Sequence, residues 1–431
     1  MTAGPARGDI VELAIEKPAA GGRMLARLDG QIVLVAGAIP GERVAARIDE
    51  RRGGVLFGTT VDVLEASPDR RAPGDDPACG GRDFAHVAYP RQVQLKREIV
   101  GDAFRRIAHV DLPGELAVVE SPEQGYRMRA RLHARGTSLG FYREGTHELC
   151  DPGCSGQLHD STLAALAQLS SALQAAGLDD VRSVELAENR DCSERVFLVE
   201  LAADGRRTVL PEALAHVEGA TGTAIARAGR TLHIHGAQTA ADTLNLATGD
   251  GPSAILRLER HVSGFFQGNR HLLEPMVQRV LAQLPAGPLL DLYAGTGLFG
   301  LAHVAAGRGD VIAVEGDVVS ASDLRRNAEP FGRLVATRLE AVEETLRTAH
   351  IVEGRSVLVD PPRVGLSKAV VAALTAARPR CLVYVSCDVA TLARDVARLA
   401  AGGYRLTHAE IFDLFPGTAH VESLVILEIS G

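Results

Sequence analysis

Cys387 is the residue whose type and position most directly predict chemistry. It follows an apolar, β-prone run at 381–385 and precedes a helix-period pattern at 389–394. These patterns place the thiol at the carboxyl end of a buried strand, where open α/β sheets carry their reactive groups. A cysteine considered alone is more often a small buried hydrophobic residue. We interpret Cys387 as a nucleophile because other segments of the chain supply the remaining parts of an active site.

A glycine-rich turn predicts a cofactor pocket. The apolar strand at 289–293 contains Asp291 and runs into Gly295 and Gly297, where glycines let the backbone approach a ligand closely. Read literally, this turn contains the GxGxxG pattern of dinucleotide-binding folds. Asp291, however, suits a cationic, amine-bearing ligand better than a pyrophosphate, and Glu315 after the next strand can accept from ribose hydroxyls. The arrangement resembles class I S-adenosylmethionine methyltransferases, with a nicotinamide enzyme as the alternative.

A rigid acidic loop is predicted at the same edge of the sheet. Asp360 ends an apolar strand at 357–359 and is followed by Pro361 and Pro362. Two consecutive prolines restrict the backbone, so we expect this loop to hold Asp360 against a bound ligand.

Composition indicates a folded protein of several domains. With 431 residues the chain is too long for one ordinary core. The net charge of −8 means that nucleic-acid binding would need a local patch. No apolar run approaches membrane-spanning length, and residues 1–9 contain no apolar signal core, so we expect a cytoplasmic protein with no membrane association. The six cysteines form no dense framework, and disulfides are not expected.

Residues 1–66 are predicted to form a small β-barrel. Asp29-Gly30 is a strong hairpin signal between two apolar runs, and further short strand patterns follow up to residue 64. The segments at 21–35 and 38–42 resemble the TRAM domain, an RNA-binding barrel found in RNA-modifying enzymes. A barrel that binds no RNA, such as a translation-factor-like module, is the alternative.

A cysteine motif follows a Pro-, Asp- and Arg-rich linker at 67–77. The run at 79–82, Cys-Gly-Gly-Arg, resembles part of the iron–sulfur motif of many TRAM-bearing uridine methyltransferases. Arg82 stands where that pattern has a cysteine, and a cubane cluster needs four thiolates. Only Cys79 and one of Cys150 and Cys154 match, so we expect no iron–sulfur cluster. A zinc site that combines these cysteines with a histidine stays open.

The middle of the chain is predicted to be an α+β region that guides the substrate. A helix begins at Tyr89-Pro90, and a second is predicted at 160–176. In the basic strand at 126–135, Arg127, Arg129 and Arg131 share one face, and no acid lies between Gln124 and Arg143 to pair with them. Such a face either contacts phosphates or is simply solvated.

The order and spacing of the C-terminal motifs resemble the RNA uracil-5-methyltransferase family. The matching residues are Phe266-Gln267, Asp291 to Gly297, Glu315, Asp360-Pro361-Pro362-Arg363, Ser386-Cys387 and His420-Val421-Glu422. The resemblance implies that Cys387 and Glu422 are catalytic, and we predict no metal in the site. It also implies that S-adenosylmethionine is bound by Gln267, Tyr293, Gly295, Glu315 and Asp360.

The chemistry of that family explains these residue types. A thiolate that adds to carbon 6 of uracil makes carbon 5 nucleophilic, and carbon 5 then accepts a methyl group. A base must next remove the proton on carbon 5 so that the thiolate can leave. Cys387 fills the first role and Glu422 the second.

The resulting prediction is an α/β protein with three domains. Residues 1–66 form the TRAM-like barrel, 78–255 a central α+β domain and 256–431 a Rossmann-like class I methyltransferase domain. An alternative for residues 90–110 is that they pack on the methyltransferase domain. The predicted function is methylation of carbon 5 of a uridine in RNA by a monomer, with 23S ribosomal RNA favoured over tRNA. The alternatives are an amino-group methyltransferase of nucleic acid or protein, and a non-catalytic RNA-binding protein on the same fold.

Overall fold

The N-terminal segment folds as a closed barrel, as predicted. A computed structural model of the chain describes residues 4–203, 214, 216–247, 253–348 and 350–429. The barrel order is β1-β2-β3-β5-β4, with strands β1 (Ile10–Pro18), β2 (Met24–Leu28), β3 (Gln31–Ala36), β4 (Arg43–Arg52) and β5 (Val55–Glu65). Asp29 and Gly30 both have positive φ, at 49° and 83°, as the tight turn between β2 and β3 requires.

A single helix connects the barrel to the rest of the molecule. Helix α1 (Tyr89–Ala103) begins with a proline in its first turn and continues into a π-helical turn at Phe104–Ala108. Its Leu95 and Ile99 enter the core of the barrel, whereas Val100 belongs to the core of the C-terminal sheet. Strand β6 (Ala117–Val119) follows and joins that sheet as an edge strand.

A seven-stranded sheet forms the centre of the chain, in the order β13-β12-β11-β10-β7-β8-β9. Helix α2 (Asp160–Ala175) covers one face and contributes buried leucines to the core beneath it. A short 3₁₀ turn at Pro152–Ser155 precedes α2. The strands are β7 (Arg129–Arg135), β8 (Ser138–Tyr142), β9 (Leu149–Cys150), β10 (Val181–Glu188), β11 (Arg195–Leu201), β12 (Gly222–Arg227) and β13 (Arg230–Gly236).

One prediction about the cysteines is wrong. Cys79 and Cys150 form a disulfide, with their Cα atoms 5.5 Å apart although they lie 71 positions apart in the sequence. The β8–β9 pairing sets Cys150 opposite Phe141, and Cys79 forms a β-bridge with Arg143, so the two thiols converge only in the folded chain.

The C-terminal part is a helix-covered sheet of eight strands, in the order β18-β17-β16-β19-β20-β22-β21-β6. Strands β16 to β20 run parallel, and β22 pairs antiparallel with β20. The hairpin β14 (Thr239–Leu246) and β15 (Ala254–His261) precedes it. The remaining strands are β16 (Leu289–Leu292), β17 (Val311–Val314), β18 (Val335–Arg338), β19 (Ser356–Val359), β20 (Cys381–Ser386), β21 (Tyr404–Phe412) and β22 (Glu422–Ile429).

Helices cover both faces of this sheet, which confirms the predicted Rossmann-like class. They are α3 (Leu273–Gln283), α4 (Leu298–Ala305), α5 (Val318–Ala328), α6 (Val342–Thr345), α7 (Lys368–Ala377) and α8 (Val389–Ala401), with a 3₁₀ segment at Glu329–Leu334. The strand order reverses between β16 and β19, and ligands of open α/β sheets bind at the carboxyl ends of the strands at such a reversal. In the described part of the chain, no helix is long and apolar enough to cross a membrane.

Candidate active site

A cavity of about 750 Å³ opens at the carboxyl ends of β16, β17, β19 and β20. The cavity is mostly apolar in its walls, as small-molecule sites usually are. The structure brings all of the predicted site residues to this one cavity, together with Arg129, Phe265 and Arg363. The predicted residues in its lining are Gln267, Tyr293, Gly295, Glu315, Asp360, Cys387 and Glu422.

The turn after β16 is held in an uncommon backbone conformation. Tyr293 has a φ of 62°, a left-handed value that non-glycine residues rarely adopt, and Gly295 and Gly297 follow with φ of 58° and 96°. The Gly295 N–H donates to Glu315 Oε2 at 2.7 Å, which joins the ends of β16 and β17. This turn therefore presents backbone atoms and the Glu315 carboxylate on the same side of the cavity.

Buried carboxyl groups that raise each other's pKa cluster at one end of the site. Burial raises the pKa of Asp291 to about 8, and the charges of Asp360 and Glu315 add to the effect. Burial and the Glu315 charge raise the pKa of Asp360 to about 7. Asp291 Oδ2 accepts from the Gly300 N–H at 2.9 Å, but Asp291 Oδ1 has no hydrogen-bond partner among the described residues. Such a site favours a ligand that carries positive charge.

Cys387 and Glu422 face each other at the end of a strand pair. Strands β20 and β22 are antiparallel, with Val385 opposite Leu424 and Ser386 opposite Ser423. Continuing this register by one residue places Cys387 opposite Glu422, and directly opposed residues have Cβ atoms about 4.5–5.5 Å apart. Both side chains line the cavity. A thiol and a carboxyl group can therefore act on the same bound molecule.

The pKa values of the Cys387 thiol and the Glu422 carboxyl group are both raised, so each group keeps its proton to a higher pH than usual. Burial raises the pKa of Cys387 to about 11, with the charges of Glu422 and Asp360 adding and the Arg363 charge opposing. Glu422 is almost fully buried, and burial raises its pKa well above the ordinary value, with Asp360 adding to this. Arg363 is therefore the cationic group that favours the reactive thiolate.

The loop that carries Asp360 and Arg363 is fixed by helix α8. Thr391 Oγ1 donates to the Arg363 carbonyl at 3.0 Å, and Arg394 Nη2 donates to the Val364 carbonyl at 2.8 Å. Asp388 caps the same helix by accepting from the Thr391 N–H at 2.8 Å. The strand end that positions Cys387 thus continues into the helix that positions Arg363.

Known proteins are similar to this chain along most of its length. The model of the family described as tRNA (Uracil-5-)-methyltransferase matches residues 254–430, and the TRAM domain model matches residues 6–61. The 23S rRNA (uracil(1939)-C(5))-methyltransferase RlmD of Pseudomonas entomophila is 35% identical, over 96% of this chain and 93% of the relative. The protein of the same name from Pseudomonas putida is 31% identical, also over 96% and 93%. The chain belongs to the RNA uracil-5-methyltransferase family. The predicted family and the TRAM resemblance are therefore confirmed.

A solved structure shares the fold of this family member along its length. It is the tRNA (uracil-54, C5)-methyltransferase of Pyrococcus abyssi in complex with S-adenosyl-L-homocysteine. It matches with a TM-score of 0.75 and 22% identity, over 96% of this chain and 100% of that one. The match supports the predicted architecture.

The cysteine motif of this family member does not fit a four-thiolate cluster. Cys79 and Cys150 are bonded to each other, so of the three cysteines considered as cluster ligands Cys154 alone has a free thiol. The Arg82 guanidinium donates to the carbonyl groups of Cys154 and Pro73. Among the described residues, no group of three or more His, Cys, Asp or Glu side chains is arranged to hold a metal ion.

The cavity residues that were not predicted as site residues from the sequence include Arg363, Phe265 and Arg129. Arg363 lay within a recognised motif and Phe265 lay two residues before Gln267, so both had a signal in the sequence. The Phe265 side chain is 60% exposed at the cavity wall. Arg129 was assigned to a basic face and not to the cavity, because the position of β7 beside the C-terminal sheet depends on tertiary packing.

The prediction of three unpaired arginines on one face is wrong in part. Arg127 precedes β7, donates to Gln157 Oε1 and the Arg129 carbonyl, and does not extend the face. Arg129 and Arg131 do share a face, but both lie near Glu185, at 3.9 and 3.5 Å. The acidic partner comes from β10, which is distant in sequence.

Proposed function

We propose that this protein transfers a methyl group from S-adenosylmethionine to carbon 5 of a uridine in RNA, through a covalent adduct on Cys387. The observation that carries the proposal is the β20–β22 register, which sets the thiol opposite the Glu422 carboxyl group at a cavity that can hold a cofactor. Family membership supplies the substrate class, and the two relatives described above are named for methylation of 23S ribosomal RNA.

Residues at the acidic end of the cavity are suited to hold the cofactor. We assign Gln267, Tyr293, Gly295, Glu315 and Asp360 to this role. When bound, S-adenosylmethionine supplies an electrophilic methyl group and a positive charge. Asp291 and Asp360 have raised pKa values, and Asp291 Oδ1 has no hydrogen-bond partner in the described part of the chain, so a positive charge nearby would stabilise both carboxylates.

Cys387 and Glu422 act on the uracil ring in different steps of the proposed reaction. The Cys387 thiolate adds to carbon 6 of the uracil ring, and the electron pair of the 5,6 double bond makes carbon 5 nucleophilic. Once carbon 5 has accepted the methyl group, Glu422 removes its remaining proton and the carbon–sulfur bond breaks. Burial suits Glu422 to this step, because a raised pKa makes its carboxylate a stronger base. Arg363 favours the thiolate, and Phe265 offers an exposed ring beside the incoming base.

The parts of the chain have separate roles in this proposal. Residues 1–66 grip RNA through the barrel, 78–255 guide the substrate, and 256–431 carry out the methylation. Helix α1 and strand β6 pack with the last unit although they lie within the second, so these units are not independent.

Isotope transfer from methyl-labelled S-adenosylmethionine tests the function. The protein is incubated with unmodified transcripts of bacterial 23S ribosomal RNA and of tRNA, and the labelled nucleoside is identified by mass spectrometry. We expect 5-methyluridine in the 23S transcript. A methylated amino group would contradict the proposed chemistry, and 5-methyluridine in tRNA alone would contradict the choice of RNA.

A further inference from the structure

Strand β7 presents one face that the core does not use. Ala130 and Leu132 pack beneath helix α2, so the alternate residues Arg129, Arg131 and His133 lie on the opposite face. Arg129 lines the catalytic cavity. Same-face residues on a strand are about 6.6 Å apart, so His133 lies about 13 Å along the strand from Arg129. This face therefore begins at the cavity and leads away from it.

A stack of rings stands at the far end of this face. The His133 and Tyr142 rings are parallel, with centroids 3.6 Å apart and planes 9° apart. The His147 and Tyr142 rings pack edge to face, with their centroids 5.2 Å apart. Burial holds the pKa of His133 below its ordinary value, and the Arg131 and His147 charges add to this, so the neutral form of the His133 ring is favoured.

The charge along the face is positive. Arg129 and Arg131 share Glu185 as their acidic partner, so one carboxylate neutralises only part of the charge of two guanidinium groups. The Arg131 side chain is 60% exposed. Beyond the rings, Glu148 is paired with Arg143, and Glu144 lies 3.9 Å from Arg23 of the barrel. The face thus runs from the cavity toward the barrel.

We propose that the outer face, defined as Arg131, His133, Tyr142 and His147, binds an unpaired RNA strand next to the target uridine. This inference rests on the proposed function and adds the surface that holds the flanking nucleotides. An exposed guanidinium contacts phosphate without reading sequence, and flat rings stack on any unpaired base. Continuity with the cavity favours the strand that carries the target base.

Binding of a 5′-fluorescein-labelled, 12-nucleotide oligouridine, followed by anisotropy, tests the outer face directly. The His133→Ala/Tyr142→Ala double variant should raise its Kd about tenfold or more, whereas Tyr142→Phe, which keeps the ring, should stay within about twofold of the wild type. Arg131→Ala should reduce the slope of log Kd against log salt by about 1. His235→Ala is the matched control, because it removes half of another ring pair, His216 and His235, at the opposite edge of the same sheet.

Two results would overturn the inference. The first is that the Kd for oligouridine and its salt dependence stay unchanged in both the double variant and Arg131→Ala. The second is that His235→Ala weakens oligouridine binding as much as the double variant does. In the double variant, the KM for the 23S transcript should rise together with the Kd for oligouridine, while kcat and the Kd for S-adenosylmethionine stay at their wild-type values. If wild-type protein made no 5-methyluridine, the proposed function would fail, but the oligouridine measurement would still report on the outer face.

Discussion

Lys96 and Asp413 form an ion pair in which both side chains are fully buried, although they lie 317 positions apart in the sequence. The Lys96 ammonium group also donates to the Phe415 carbonyl at 3.1 Å. Lys96 lies on α1, and Asp413 begins the loop that leads to Glu422. The helix that joins the barrel to the C-terminal sheet therefore also holds the segment that presents the proposed base.

Replacing Lys96 with methionine should destabilise the protein strongly. The Asp413 carboxylate would be left buried without its cation, and breaking a buried pair in this way costs about 3–5 kcal/mol of unfolding free energy. Urea denaturation measures the change. The matched control is Lys96→Met/Asp413→Leu, which removes both charges and should recover most of the loss. Equal stability of Lys96→Met and wild type would show that the pair does not brace the loop.

Replacing Glu422 with glutamine should trap the reaction after methyl transfer. The amide is similar in size but cannot take the proton from carbon 5, so kcat should fall about 10²- to 10⁴-fold. A denaturant-resistant protein–RNA complex should accumulate on gels. Glu428→Gln is the control, since Glu428 lies on the same strand but is exposed. Normal turnover by Glu422→Gln would assign the base to another residue.

The acidic end of the cavity should make the stability of the cofactor-free protein depend on pH. Burial raises the pKa of Asp291 from its ordinary value of 3.8 to about 8, so the folded state keeps a proton that the unfolded chain releases. The free energy of unfolding should therefore fall as pH rises from about 4 to about 8. Asp291→Asn should be increasingly more stable than wild type over this range, and equal to it at pH 4.

Urea unfolding at several pH values checks this dependence. The exposed Asp111→Asn serves as control and should follow the wild type throughout. Parallel curves for Asp291→Asn and wild type would mean that Asp291 is ionised in the folded protein.

Alkylation of Cys387 should report the charge that surrounds it. Because the thiolate is the reactive form and the pKa of Cys387 is raised to about 11, alkylation by iodoacetamide should accelerate about tenfold per pH unit between pH 8 and 10. Arg363→Met removes the cation that favours the thiolate and should slow alkylation at each pH, whereas Arg363→Lys should not. Mass spectrometry of the Cys387 peptide gives the rates. A plateau below pH 9 would contradict the raised pKa.

Features encoded over short stretches of sequence were predicted well. The Asp29-Gly30 turn and the alternation around it indicated the barrel, and the motif at 291–297 indicated the turn after β16. Each of these depends on backbone preferences within a few residues. The order of the strand-end motifs also predicted that Cys387 and Asp360 would meet, because parallel strands end at one edge of a sheet.

Features that depend on long-range contact were missed or were wrong. The Cys79–Cys150 disulfide needs the β8–β9 hairpin, and the pairing of Arg131 with Glu185 needs β10 beside β7. The sequence around Arg131 contains no acid nearby, so the local pattern indicated an unpaired charge. The Lys96–Asp413 pair likewise needs α1 to pack beside the end of β21.

The most direct test of the central proposal is mass spectrometry of the protein after reaction with S-adenosylmethionine and a 23S transcript that contains 5-fluorouridine. Fluorine at carbon 5 cannot be removed as a proton, so the adduct persists. We expect a methylated fluorouridine nucleotide on the Cys387 peptide. Cys154→Ala should still form the adduct, and Cys387→Ala should not, although it binds the cofactor as wild type does. An adduct on another residue, or 5-methyluridine formation by Cys387→Ala, would contradict the covalent mechanism.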